Sequence, residues 1–229
     1  GRPWSERKKL VWRDEQSGAW TGLDTPDVST TIDGPFVMHA DGLGWLWVPT
    51  GLKDGPLPAH YEPFESPVRN AMYAEQTNPA ANRLARPDNP WATSPDAAFP
   101  HVLTTYRLTE HHTAGGMSRT LSHLAELQPA LFCEISRELA HDLAIANADR
   151  VRIVTARGQI EARALVTARI RPLVVNGQTV HQVAMPWHFG HSGLVTGDVA
   201  NDLIAMSEEP NVRIMESKAL LCRIEAVPQ

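Results

Sequence analysis

Proline is spread so unevenly along this 229-residue chain that it dictates where regular structure can form: thirteen of the 18 prolines lie at or before Pro100. Proline fixes φ and supplies no backbone N–H, so it interrupts helices and is kept out of sheet interiors. The first 98 residues therefore read as an extended arm broken by turns, as in Lys53-Asp54-Gly55-Pro56-Leu57-Pro58 and Asn89-Pro90-Trp91. Five of the seven tryptophans, Trp4, Trp12, Trp20, Trp45 and Trp47, fall in the first 50 residues. Rings of that size need cover from water, so the arm is expected to pack on a partner surface. Residues 99–229 make up the second part, where strand and helix patterns become regular.

Pro100-His101-Val102-Leu103 opens an apolar strand, and Ala130–Ile135 is a second. Ser136 carries the short hydroxyl that caps a helix over about Arg137 to Leu143, with Leu139 and Leu143 on one face. Asn147 is placed for the left-handed residue that ends such a helix. Arg150–Thr155 alternates polar and apolar, Arg157-Gly158 turns, and Gln159–Arg169 alternates again, which predicts a hairpin. Val180–Met185 and Leu220–Val227 add two more strands. The fold class is therefore mainly β with a few short helices, preceded by an irregular Pro/Trp-rich arm.

Charge and cysteine content exclude several functions. A net charge of -5 and a pI near 6.1 argue against nucleic-acid binding, which needs a clustered basic face. The Arg7-Lys8-Lys9 run is a solvated charge cluster. Cys133 and Cys222 are the two cysteines, too few for a four-thiolate iron–sulfur cluster, and they read as buried hydrophobes suited to a reducing compartment. No apolar run approaches the about 18 residues a membrane span needs, and Gly1-Arg2-Pro3-Trp4 lacks a signal peptide's apolar centre. Without an initiating methionine the start of the protein is expected upstream, so the compartment stays open between cytoplasm and periplasm.

The densest chemistry lies in Thr104-Thr105-Tyr106-Arg107-Leu108-Thr109-Glu110-His111-His112-Thr113, where a buried strand runs out into a loop before Ala114-Gly115-Gly116. Arg107 supplies a planar fork for a phosphate, the threonine hydroxyls add donors, and Glu110 offers an acceptor for a guanine-like edge. The alternative is a polar loop whose members satisfy one another. His111-His112 and His188-x-x-His191 lack a third metal ligand nearby, so no residue is assigned to metal. Ser118-Arg119 and Ser192-Gly193 lack a nucleophile elbow, and no G-x-G-x-x-G follows a strand.

Several ordered blocks carry a family likeness: Gly34-Pro35-Phe36-Val37-Met38, His60-Tyr61-Glu62-Pro63-Phe64-Glu65, Thr104–His111, Pro186-Trp187-His188-Phe189-Gly190, Ala200-Asn201-Asp202-Leu203 and Glu216-Ser217-Lys218. In this order they resemble the carboxy-terminal molybdopterin-dinucleotide-binding domain of the catalytic alpha subunit of Mo/W-dependent formate dehydrogenases, in the DMSO reductase superfamily. The resemblance implies a double-psi β-barrel and a bis-molybdopterin guanine dinucleotide cofactor with Mo or W, shared with an amino-terminal part that this sequence lacks. It places Thr104, Thr105, Arg107, Glu110, His111, His112 and Thr113 along one pterin dinucleotide, with Trp187, His188, Asn201 and Lys218 as further contacts. It also implies two partners: the amino-terminal part of the catalytic subunit, and an iron–sulfur electron-transfer subunit. The cluster and the residue bound to the metal belong to those missing parts, so the isolated chain is expected to be inactive. Two alternatives stand beside it: a nitrate reductase or formylmethanofuran dehydrogenase type of subunit, and a non-catalytic protein-binding module on the same barrel.

Overall fold

A computed structural model describes residues 60–216 and 218–228, together with 52–55 and the stretches 12–13, 16–17 and 20–21. The Gly34–Met38 block, the Arg7–Lys9 run, Trp4, Trp45, Trp47 and Ser217 lie outside the described residues. Two compact units divide the chain, Gly1–Lys53 and Asp54–Gln229. In the first, strands β1 (Trp12–Arg13) and β2 (Trp20–Thr21) form an antiparallel pair.

The second unit contains β3 (Asn82–Arg83), β4 (His101–Tyr106), 3-10 turn η1 (Ser118–Thr120), helix α1 (Ser122–Leu127), β5 (Phe132–Ser136) and helix α2 (Arg137–Asp142). There follow β6 (Arg150–Val154), β7 (Gln159–Thr167), β8 (Leu173–Val175), β9 (Gln178–Val180), β10 (Gln182–Pro186), 3-10 turn η2 (Ala200–Leu203), β11 (Ser207–Glu208) and β12 (Leu220–Ala226). Six strands close into a barrel in the order β10-β4-β12-β6-β7-β5. The protein is thus mainly β, with two short α-helices among the described residues.

Alternation along each strand fills this barrel. On β7, Ile160, Ala162 and Ala164 are buried while Gln159 and Arg163 face water. Leu103, Cys133, Ile135, Val151, Ile153, Val183 and Cys222 are completely buried in the same core. Each large aliphatic member contributes about 1.5–3 kcal/mol by leaving water. Burial pushes the thiols of Cys133 and Cys222 up in pKa, and both are free, as expected of cysteines that serve as small hydrophobes.

The 150–167 hairpin forms as its alternation predicts, with Ile153 opposite Ile160. Ser136 caps α2, its Oγ accepting from the Leu139 N–H at 3.1 Å. The left-handed exit falls on Ala144 and Ala148, at φ 52° and 72°, and not on Asn147. Asn147 spends its side chain differently, its Oδ1 accepting the Val166 N–H at 3.0 Å to tie the helix exit to β7.

Residues 60–98 lie on the barrel as a strap. Leu221, completely buried although its neighbours Leu220 and Cys222 are buried too, shows that β12 is covered on both faces. Glu65 fastens the strap. Its buried carboxylate accepts from Arg157 Nη1 at 2.5 Å and Nη2 at 3.1 Å, and from the backbone N–H of Ala92 and Leu221, each at 2.9 Å. Asn89 adds a second tie, exchanging hydrogen bonds with the Met206 backbone at 2.8 and 3.0 Å. Phe64 and Trp91 meet edge to face with centroids 5.3 Å apart, and Arg83 stacks over both rings. Trp91 of the strap thus packs against the barrel core, whereas Tyr73 stays exposed. Among the described residues no helix is long and apolar enough to cross a membrane.

Candidate functional site

Strands β4 and β10 run parallel, with Thr105 opposite Met185 and Tyr106 opposite Pro186. Both chains therefore leave the barrel at the same rim, so the loop after Tyr106 and the loop after Pro186 are neighbours despite being 80 residues apart. The motif of clustered polar residues and the Trp187–His188 block meet there, for a reason that neither stretch contains by itself.

His188 locks the first loop. Buried at 1% exposure, its Nε2 accepts the Leu108 N–H at 2.7 Å and its Nδ1–H donates to the Thr113 carbonyl at 2.5 Å. A neutral ring with the proton on Nδ1 satisfies both bonds. Burial lowers its pKa, the Thr113 bond opposes this, and the charges of Arg107 and His111 lower it further. His111 is spent in the same way: its ring nitrogens meet Ser118 Oγ at 3.2 Å and the Gln128 carbonyl at 3.1 Å, and its edge packs on Phe189. Both histidines shape the loop from beneath.

Arg119 binds the two loops together, and nothing in the sequence signals it. Almost fully buried, its Nη1 donates to the carbonyls of Gly190, Ser192 and Val195, while the Leu194 N–H donates back to the Arg119 carbonyl at 2.9 Å. Gly115 makes the contact possible. A side chain there would place Cβ 2.0 Å from the His188 carbonyl oxygen, and its φ of 78° is one that glycine adopts readily. The close approach at Gly115 is thus to protein backbone, while Gly116 is open.

Above this scaffold, four of the candidate residues converge. Lys218 Nζ lies 3.4 Å from both the carbonyl and Oγ1 of Thr105. Arg107 lies over the Trp187 ring at 5.0 Å. Partial burial, and then the charge of Arg107, lower the pKa of Lys218, so two cations share one small region. Neither has a carboxylate partner among the described residues. Thr104 is half-buried on β4 opposite Ala184, Glu110 is half-buried, and His112 and Thr113 are exposed on the loop. Asn201 is exposed on η2, which packs against β7.

A second network flanks the rim. Glu134, buried, accepts from Arg169 Nε and Nη2, each at 2.8 Å, from Thr167 Oγ1 at 2.7 Å and from the Tyr106 hydroxyl at 3.1 Å. Burial and the Glu134 charge raise the Tyr106 pKa, keeping it a phenol. Tyr106 is thereby fixed one residue before Arg107.

The rim presents two cations without a carboxylate partner among the described residues, a threonine hydroxyl and an indole, a set whose chemistry suits an anionic, ring-bearing ligand. Residues 102–220, more than half of the chain, match the family described as Molydopterin dinucleotide binding domain, and the chain belongs to that family. It is 40% identical over 98% of its length to formate dehydrogenase 2 subunit alpha (cytochrome c-553) of Nitratidesulfovibrio vulgaris, covering 22% of that protein. It is 37% identical over 99% of its length to the formate dehydrogenase-O major subunit of Escherichia coli K12, again covering 22%. A nitrate reductase of Symbiobacterium thermophilum is 26% identical over 95% of the chain and is covered to 27%. The chain therefore spans about a fifth of the length of the formate dehydrogenase relatives it matches.

Proposed function

We propose that this chain is the carboxy-terminal, cofactor-binding part of a formate dehydrogenase catalytic subunit and holds one pterin guanine dinucleotide of a Mo or W bis-pterin centre. The observation that carries this reading is the pairing of Arg107 and Lys218 beside Thr105 at the barrel rim, with no carboxylate partner for either among the described residues. Two such cations fit the pyrophosphate of a dinucleotide, whose charge they would neutralise through charge-assisted hydrogen bonds. When bound, the metal–pterin group supplies the two-electron oxidation of formate to CO2, with electrons leaving through iron–sulfur clusters of the remaining parts.

This chain's residues bind and orient. Arg107 presents its fork from a loop whose backbone is fixed at Leu108 and Thr113 by His188, so the guanidinium loses little freedom on binding. Lys218 is held by Thr105 near the same point. Trp187 backs Arg107 and keeps water from its rear face. Thr104, Glu110, His112, Thr113 and Asn201 stand as further proposed contacts, while His111 and His188 act by holding the loop. Its partners would be the amino-terminal part of the subunit and an iron–sulfur electron-transfer subunit, and alone it would not turn over. A nitrate reductase-type subunit is the second reading, favoured by the likeness to the Symbiobacterium protein.

The test is anaerobic capture of the chain from its native host, with Mo, W, Fe and pterin measured in the co-purifying complex. Arg107→Ala should lower pterin and metal content of the assembled enzyme while leaving the melting temperature of this chain within about 2 °C of the parent, as for other exposed substitutions. Equal metal content in variant and parent would remove Arg107 from the site.

A further inference from the structure

His101 opens β4 and His181 immediately precedes β10, and the parallel register that sets Gln182 opposite Val102 brings the two histidines level. The Val102 N–H fixes them there by donating to the His181 carbonyl at 3.0 Å. Their rings meet edge to face, with centroids 5.8 Å apart and planes at 87°. Both Nδ1 atoms are buried, and neither has a hydrogen-bond partner. We infer that His101 and His181 form a two-histidine clamp for a borderline divalent transition-metal ion of the Zn(II), Ni(II) or Cu(II) class, tying β4 to β10 at the strand ends opposite the rim. The inference is independent of the dinucleotide reading.

Packing alone does not account for the pair. A buried ring nitrogen without a partner is costly, and two phenyl rings would make the same edge-to-face contact without that cost. Ligation gives both nitrogens a use: a neutral imidazole binds metal through the lone pair of one nitrogen and keeps its proton on the other. The spacing of the rings allows one ion to serve both. A metal about 2.0–2.1 Å from a ring nitrogen lies roughly 3.2 Å from that ring's centre, so a shared ion sets the two centres about 4.5 Å apart at a right-angled N–metal–N arrangement and about 6.4 Å apart at a linear one. The 5.8 Å separation falls inside this range.

The rest of the neighbourhood sets the kind of ion and the strength of the site. Cys222 stands opposite His101 on β12 but belongs to the apolar core, and among the described residues no group of three or more His, Cys, Asp or Glu side chains is placed to hold a metal. Two imidazoles and no carboxylate suit Zn(II), Ni(II) and Cu(II) and disfavour Mg(II), which takes oxygen ligands. With water in the remaining positions, the ion exchanges readily and is not required for folding. Both rings are half-buried, which leaves a way in from solvent. Since β4 and β10 each end at the rim, about 16 Å of strand separates the clamp from the loops that follow Tyr106 and Pro186.

The experiment is calorimetric and thermal titration of the chelator-stripped chain with Zn(II), Ni(II) and Mg(II), repeated with His101→Gln, His181→Gln and, as a control at an exposed histidine, His191→Gln. Ni(II) should bind more tightly than Zn(II), and Mg(II) should not bind. At a hundred-fold excess over Kd, Zn(II) or Ni(II) should raise the melting temperature by roughly 5–10 °C. His101→Gln and His181→Gln should each weaken binding at least about ten-fold, while His191→Gln leaves it at the parental value. A second measurement needs no variant: substoichiometric Cu(II) should broaden the imidazole NMR signals of His101 and His181 before those of the other histidines. Absence of a thermal shift with both Zn(II) and Ni(II), an equal response to Mg(II), parental affinity in both clamp variants, or broadening that falls first on other histidines would each overturn the assignment. Should either clamp variant fail to fold, the order of broadening in the parent decides the matter.

Discussion

Removing the charge of Arg157 while keeping its stem is the sharpest test of how the strap is held. In the parent, the side chains of Arg157 and Glu65 are 3% and 0% exposed, and the carboxylate is met by two guanidinium donors and two backbone N–H groups. Arg157→Met keeps apolar contact with Trp91 but leaves Glu65 as a buried charge with only the Ala92 and Leu221 N–H donors. It also removes the guanidinium donor, at 2.9 Å in each case, from the carbonyls of Pro90 and Leu203, the latter keeping the Thr155 hydroxyl at 3.0 Å. Breaking one side of a buried pair costs about 3–5 kcal/mol, mainly because an uncompensated charge remains. In a unit of this size that corresponds to a fall in melting temperature of roughly 6–20 °C. Adding Glu65→Gln removes the stranded charge, while its single amide oxygen keeps one of the Ala92 and Leu221 N–H donors, which bond different oxygens in the parent, so the double variant should recover about 1 kcal/mol relative to Arg157→Met alone. Urea unfolding of parent, both single variants and the double variant measures the cycle. A loss below about 1 kcal/mol for Arg157→Met, or strict additivity in the double variant, would refute the claim that this pair is desolvated and coupled.

Three further outcomes are expected. His101 has its pKa lowered from 6.5 to about 4, first by burial and then by the neighbouring His181. The unfolded chain then takes up a proton that the folded one refuses, so stability should fall as pH drops from about 6.5 to about 4 and level off below, by on the order of 1–3 kcal/mol after allowance for solvent screening. His101→Phe should flatten that slope in pH-dependent urea melts, and an unchanged slope would assign it to other groups. Ser136→Ala removes the cap on α2 and should cost about 1 kcal/mol, read as a shift in urea midpoint at constant m-value. Gly115→Ala drives a Cβ against the His188 carbonyl and should speed hydrogen exchange across 187–195 and 107–119 while the barrel strands stay protected; parental exchange in both loops would show that the loops part at no cost.

Short-range patterns made much of the fold legible before any coordinates. The alternation in Arg150–Val154 and Gln159–Thr167, the hydroxyl at Ser136 and the apolar run into Thr104 each encode structure within a few residues, and each appears where its pattern puts it. The helix exit is not legible in the same way, because Asn147 has two uses for its side chain, a left-handed turn or an acceptor for a distant N–H, and the sequence does not say that Val166 will be beside it. The β8–β9 hairpin turns on Asn176-Gly177 at φ 51° and 78°, the two left-handed residues that an Asn-Gly pair supplies locally.

The candidate site divides along the same line. That Thr104–Thr113 holds donors, a fork and a carboxylate is a property of the sequence, as are the proline distribution, the two isolated cysteines and the net negative charge. Which of these groups meet at the rim was decided by the parallel pairing of β4 with β10, which sets Trp187 under Arg107, and by the closing of β12 against β4, which brings Lys218 to Thr105. The same pairing turned His111 and His188 inward as loop supports, and it recruited Arg119 and Glu65, which no spacing rule marks. Side-chain periodicity is fixed by backbone geometry over a few residues, whereas the partner of a buried charge is fixed by which strands close the barrel, and that choice is made by the whole core at once.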